Sequence, residues 1–165
     1  FNQTFRPVFK RPEPRLNETA IVPGIDGQKM SKSYGNIIEL FGEAKAMKKK
    51  IMAIKTDSTP VEQPKHPETC NVFALLKLLA EPAELAQWEQ RYRAGGMGYG
   101  EAKKRLVELY EERFGSRREI RAQWLARPDD VEDILRGGAR RARAVAEEVM
   151  AEVRDACGIV RAATL

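Results

Sequence analysis

Cysteine and histidine are nearly missing from this 165-residue chain. Cys70 and Cys157 are the two cysteines, too few and too far apart for a disulfide scaffold or a thiolate metal cage. Both read as reduced thiols, as expected of a cytoplasmic protein. His66 is the single histidine, so neither an imidazole metal site nor a Cys–His nucleophile is supported, and no structural metal is expected. No run approaches eighteen apolar residues, which excludes a membrane-spanning helix from the expectations. The opening FNQTFRPVFK lacks the charged, apolar, small order of a secretory signal. It also lacks an initiator methionine, and we read the sequence as a piece of a longer polypeptide. A net charge of +5 is modest; it permits a nucleic-acid partner without requiring one.

Against that plain background one stretch stands out, DGQKMSKSYGN, from Asp26 to Asn36. Lys29 and Lys32 are three apart and can reach one polyanion if the loop folds over it. Lysine is a compact, mobile cation, suited to a group whose charge moves during reaction, such as pyrophosphate leaving a nucleotide. Ser31 and Ser33 add hydroxyls, and Met30 can seat the loop on an apolar shelf. The glycines do not precede the lysines at P-loop spacing. The residues therefore support phosphate binding and fix no reaction.

Around the loop the sequence divides into an irregular start and a helical remainder. Pro7, Pro12 and Pro14 keep the first twenty residues extended or looping. TAIVPG predicts a short strand over Thr19–Val22, and IIELF at 37–41 fits a short strand or a helical turn equally. From Glu43, Ala44, Met47, Ile51 and Ile54 repeat at helical intervals. The proline-rich KTDSTPVEQPKHPE, in which Thr56, Asp57 and Ser58 can cap backbone amides, connects to a helix after Asn71. Another helix covers 82–93 with Pro82 in its first turn, and Gly95-Gly96 breaks it. Beyond GGMGYG, three helices are expected: 101–114, a capping box from Ser116 and Glu119 opening a segment to Arg127, and a last one after Pro128. Its stripe, Ala142, Val145, Ala146, Val149, Val153 and Ala156, reads as packed within the molecule, with Gly158 ending the helix. GGMGYG itself reads as a turn where helices cross closely; a dinucleotide-binding element would need a strand before it.

KMSKS at 29–33 resembles the signature loop of class I aminoacyl-tRNA synthetases. With KMSKSYGN, KTDS at 55–58, CNVF at 70–73, GMGYGEAKKRL at 96–106 and ILRGGARRAR at 134–143, nearly the whole chain resembles the C-terminal half of bacterial tryptophanyl-tRNA synthetases. The resemblance implies an α+β fragment, mostly α. Residues 1–60 would be a C-terminal remnant of a Rossmann-type catalytic domain with the KMSKS loop, and 61–165 a helical anticodon-binding domain. It implies Lys29 and Lys32 as catalytic residues on the ATP phosphates, with Lys32 the stronger candidate, and Met30, Ser31 and Ser33 as residues that seat and close the ATP-binding loop. ATP with Mg2+ would be co-substrate, and tRNA(Trp) and L-tryptophan the partners, tryptophan through a half of the protein not in this sequence. Tyr34 stands where many members carry an acidic residue.

For RNA contact the resemblance and the cationic run RFGSRREIRAQWLAR point to Tyr99, Lys103, Arg117, Arg118, Arg121 and Trp124, with guanidinium planes and aromatic rings as stacking surfaces for unpaired bases. The family's His-x-Gly-His-like ATP element and its Gly-Glu-Asp-Gln segment are absent, and FNQTF is similar to the residues directly after that second segment in the family. Half an active site is implied, so this chain alone should be inactive. Its parent is expected to be a homodimer and the fragment a monomer. Two other readings stay open: a non-catalytic helical module that binds RNA or protein, and a class I synthetase for tyrosine.

Overall fold

The computed structural model describes residues 1–15 and 21–159. It contains five helices in the order α1 Ala44–Met52, α2 Asn71–Leu79, α3 Pro82–Ala94, α4 Tyr99–Leu125 and α5 Pro128–Ala156 among the described residues. Single 3-10 turns occupy Lys32–Tyr34 and Pro67–Thr69. The chain divides into two compact units, Leu16–Gln123 and a second made of Phe1–Arg15 with Trp124–Leu165.

The α+β expectation, with its Rossmann remnant, is overturned. Among the described residues there is no strand, only the isolated antiparallel bridge between Pro23 and Lys29. A strand needs a ladder, and Pro23 has no amide hydrogen to extend one. The expected strand at Thr19–Val22 lies partly outside the described residues, and Ile21 and Val22 are not in a strand. IIELF forms neither strand nor helix. The hydroxyl of Tyr110 donates to the carbonyls of Glu39 at 2.7 Å and Leu40 at 3.2 Å, so a side chain holds this segment where a sheet neighbour would have.

The first unit owes its form to helical periodicity. Glu43 caps α1, its carboxylate accepting from the amides of Lys45 at 3.0 Å and Ala46 at 2.8 Å, and satisfies donors that the first helical turn leaves open. Met47 and Ile51 of α1, Val72, Phe73, Leu75 and Leu76 of α2, and Trp88 and Tyr92 of α3 are buried together. Ala102, Leu106, Leu109 and Tyr110 complete this core from the first half of α4. Arg105 of α4 forks onto Glu84 of α3, at 2.6 Å through Nε and 3.0 Å through Nη2, and pins the two helices where both side chains are largely shielded.

Two helix boundaries bear on the sequence reading. Gly115-Ser116 does not end a helix, since α4 runs without a break from Tyr99 to Leu125. Pro128 opens α5 at its first turn, where its missing amide costs nothing. In the second unit, Phe1 packs on Phe5 and Phe9 at ring distances of 4.9 and 5.2 Å. The Asn2 side chain closes this turn, accepting from the amides of Val8 and Phe9. Arg6 reaches Asp155 of α5 at 2.6 Å. The α5 stripe is not packed as expected: α5 has no buried residue, and Val145 is 67% exposed.

Candidate functional site

The cationic loop leaves a tight backbone turn. Gly24 donates to the Gln28 carbonyl at 2.7 Å and Met30 to the Val22 carbonyl at 2.9 Å. A Cβ on Gly24 would lie 2.4 Å from the Asn36 side chain and 2.7 Å from its carbonyl oxygen, so only glycine fits. Lys29, Lys32 and Ser33 are exposed and Ser31 is half-buried. Ser31 and Ser33 share a hydrogen bond between their hydroxyls at 2.8 Å. Met30 is half-buried and lines an apolar cavity of about 640 Å³ with Ile38, Ile51, Leu75 and Leu106, the shelf expected from the sequence. The 3-10 turn Lys32–Tyr34 ends on Gly35. Both lysines are left to solvent, and neither has a carboxylate partner among the described residues.

Sequence reasoning missed the residue on which this loop is hung. Asn36 is 2% exposed. Its Oδ1 accepts from the Ser31 amide at 2.8 Å, and its Nδ2 donates to Asp26 Oδ1 at 2.8 Å and to the Lys29 carbonyl at 3.2 Å. The Asp26 carboxylate also accepts from the Gln28 amide at 3.0 Å. The hydrogen bond from Asn36 holds the Asp26 carboxyl below its ordinary value. Nothing in the sequence distinguished Asn36 from an ordinary loop asparagine, because its partners are set by a turn that local patterning does not predict.

A second polar cluster stands behind the loop. The Lys55 amide donates to the Ile25 carbonyl at 2.7 Å, and the Asn71 side chain donates to the Lys55 carbonyl at 3.1 Å. Two residues on, Asp57 accepts from the Thr59 amide at 2.9 Å and from the Tyr99 hydroxyl at 2.8 Å, the capping that KTDS suggested. A pocket of about 530 Å³ lies among Asp26, Gln28, Lys55, Asp57, Asn71 and Tyr99.

Tyr99 and Lys103 turn inward. Burial, followed by the hydrogen bond to Asp57, pushes the Tyr99 hydroxyl up to about 12. Its ring lies 6.1 Å from Tyr92 and 5.4 Å from the Lys65 ammonium. Lys65, which the sequence reading passed over in a proline-rich connector, is 2% exposed and donates to the carbonyls of Pro60, Val61 and Gln63 at 2.9, 3.4 and 3.2 Å. Lys103 donates to the Met52 carbonyl at 3.1 Å, closing the C-terminus of α1, and burial pushes its amine down. The expected helix break at Gly95 is present: φ is +76° there, and a Cβ would meet the Glu62 carbonyl at 2.6 Å.

Of the arginines, Arg118 is paired with Glu111 of the same helix, while Arg117 and Arg121 are exposed one turn apart. Arg113 belongs to that same helix, four residues before Arg117, and its place is on the rim of the apolar cavity. In the second unit Trp124 is 38% exposed, not core, and the Arg127 guanidinium lies 4.8 Å from its ring centroid. Among the described residues no group of three or more histidine, cysteine, aspartate or glutamate side chains is placed to hold a metal ion. Nor is any described helix long and apolar enough to cross a membrane.

A family model described as "tRNA synthetases class I (W and Y)" matches residues 1–115. A tryptophan–tRNA ligase of Rhodopirellula baltica is 48% identical over 160 residues, covering 96% of this chain and 50% of the relative. One from Fusobacterium nucleatum is 42% identical over 164 residues, covering 97% and 50%. The chain thus spans about half the length of the curated relatives it matches. Among solved structures, the tryptophanyl-tRNA synthetase of Campylobacter jejuni complexed with ADP and tryptophan superposes with a TM-score of 0.76 at 41% identity, covering 95% of this chain and 50% of that one.

Proposed function

Because the chain belongs to the class I tRNA synthetases of the tryptophan and tyrosine type, we propose that it is the KMSKS-bearing part of an ATP-dependent tryptophan–tRNA ligase. In that reaction the tryptophan carboxylate attacks the α-phosphorus of ATP, pyrophosphate leaves, and the aminoacyl group passes to tRNA(Trp). Residues 1–60 carry the phosphate-handling loop and 61–165 the tRNA-recognising helices. The observation that carries this reading is the loop itself: two exposed lysines, without carboxylate partners among the described residues, on a backbone fixed from beneath. Cations held so can gather onto the β- and γ-phosphates, with Mg2+ supplied alongside ATP, and stabilise charge that grows on the leaving pyrophosphate. Arg117 and Arg121 face solvent on one side of α4 and are the strongest choice for phosphate or base contacts on tRNA. The inward bonds of Tyr99 and Lys103 favour a supporting role for both.

The test is tryptophan-dependent ATP–pyrophosphate exchange by the full-length gene product. Lys32→Ala should lower kcat by about a hundredfold, the usual effect of removing one preorganised donor, with little change in KM for tryptophan. An unchanged kcat removes Lys32 from the mechanism. Exchange that responds to tyrosine and not tryptophan would reassign the amino acid. The 165-residue chain alone is expected to show no exchange. A titration with tRNA(Trp) should give weak, salt-sensitive binding that Arg117→Ala with Arg121→Ala reduces.

A further inference from the structure

Asn36 is the one fully buried polar side chain in the 22–36 turn, and each of its amide atoms is used. Oδ1 takes the Ser31 amide, and the two Nδ2 hydrogens go to the Lys29 carbonyl and to Asp26. The backbone on either side of Met30 is thereby tied to one carboxamide, while Met30 itself is tied to Val22. Three consecutive residues are fixed along their main chain, and the lysines at 29 and 32 keep their side-chain freedom. Gly24 supplies the seat, since any side chain there would occupy the place of Asn36. We infer that Asn36, oriented by Asp26, is a positioning residue that sets the direction in which Lys29 and Lys32 leave the loop.

The chemistry selects asparagine at this point. Leucine of similar size would leave the Ser31 amide and the Lys29 carbonyl without their partner. Aspartate would keep the acceptor for Ser31 but set a carboxylate against that of Asp26 and lose both donors. Asp26 in turn has one oxygen engaged by Asn36 and by the Gln28 amide, which fixes the turn that the carboxamide grips. The inference rests on the reading of the loop as an ATP-phosphate site for its catalytic part, whereas the clasp itself is a matter of geometry.

The experiment uses three variants of the full-length gene product: Asn36→Asp, Asp26→Ala, and the exchange of both residues, Asp26→Asn with Asn36→Asp. In the exchanged pair the amide at 26 can donate to the carboxylate at 36, which restores that one contact with its direction reversed and leaves the Lys29 carbonyl without its donor. Tryptophan-dependent pyrophosphate exchange and tryptic cleavage after Lys29 and Lys32 are both measured. Asn36→Asp should lower kcat by about a hundredfold, the scale of a misplacement near 1 Å, with KM for tryptophan within about twofold. Cleavage in the loop should quicken by about tenfold, as expected when such hydrogen bonds are lost. The exchanged pair should recover part of both losses, and Asp26→Ala should cost less than Asn36→Asp. Parental kcat and cleavage in Asn36→Asp or in Asp26→Ala overturn the inference, as does an exchanged pair that folds with a parental circular dichroism spectrum and recovers nothing. If the parent itself catalyses no exchange, the functional reading fails, and the cleavage rates alone then decide the clasp.

Discussion

Two helical faces with similar sequence patterns meet opposite fates in this molecule. In α2 and the first half of α4, apolar residues at three- and four-residue intervals are sealed in a core, and Leu76 is 0% exposed. In α5 the stripe from Ala142 to Ala156 has the same periodicity, yet α5 buries nothing. Periodicity states which side of a helix is apolar and is silent on what, if anything, covers it. The difference lies in the partners. The core faces carry Phe73 and Tyr110 and meet Trp88 and Tyr92 of α3, whose area repays ordering, whereas the α5 stripe is built mostly of alanine and valine, which gain little from burial.

The comparison breaks most openly under truncation. Leu76→Ala should cost about 2–5 kcal/mol, the range for a large-to-small change in a sealed core. Val145→Ala should stay within about 0.5 kcal/mol; chemical denaturation of both variants measures the contrast, and equal losses would show that α5 is covered in solution. Gly24→Ala comes next, at about 1–3 kcal/mol for forcing an atom into filled space, read by thermal melting and by faster loop cleavage.

Ion pairs sharpen the same contrast. The bond to Arg105 holds the Glu84 carboxyl below its ordinary value of 4.5. A depressed carboxyl contributes stability that is complete above its unfolded value and is lost as pH falls through its folded one. Arg105→Met should therefore cost about 1 kcal/mol at pH 7 and progressively less below about pH 4.5, as melts against pH will show. The smallest effect is expected at the exposed pair Arg6–Asp155, where Arg6→Ala should change stability by less than about 0.5 kcal/mol and lose even that in high salt.

Much of the helical unit was legible residue by residue. Pro82 opens α3, Gly95 closes it, and the burial of Met47 and Ile51 agrees with their spacing. The pentapeptide at 29–33 singled out a loop whose two lysines are exposed in the structure. Three things were not legible, each because a distant or unlike partner decides it. Gly115-Ser116 looks like a stop, but Arg118 pairs with Glu111 two turns away along the same face, and a Cβ at Gly115 would come within 3.4 Å of that glutamate. That distance is ordinary contact; the ion pair braces the helix across the glycine, and the helix continues. The segment 37–41 fitted a strand or a helical turn equally and forms neither, because the Tyr110 hydroxyl holds its backbone. Asn36 and Lys65 are polar residues in irregular stretches, and their burial comes from backbone carbonyls and amides that no periodicity encodes.

The short run from Lys55 to Asp57 has a mechanical consequence. At one end its backbone is fastened to Ile25, at the base of the lysine loop, and at the other its carboxylate is fastened to Tyr99 in the first turn of α4. Two residues of chain can span only about 7 Å when fully stretched, so the linkage can take up little movement. A rotation of the first turn of α4 is transmitted to Ile25 as tension, or else one of the two bonds must break. The base of the loop and the start of the long helix are thus joined through three consecutive residues, Lys55, Thr56 and Asp57, with a hydrogen bond at each end.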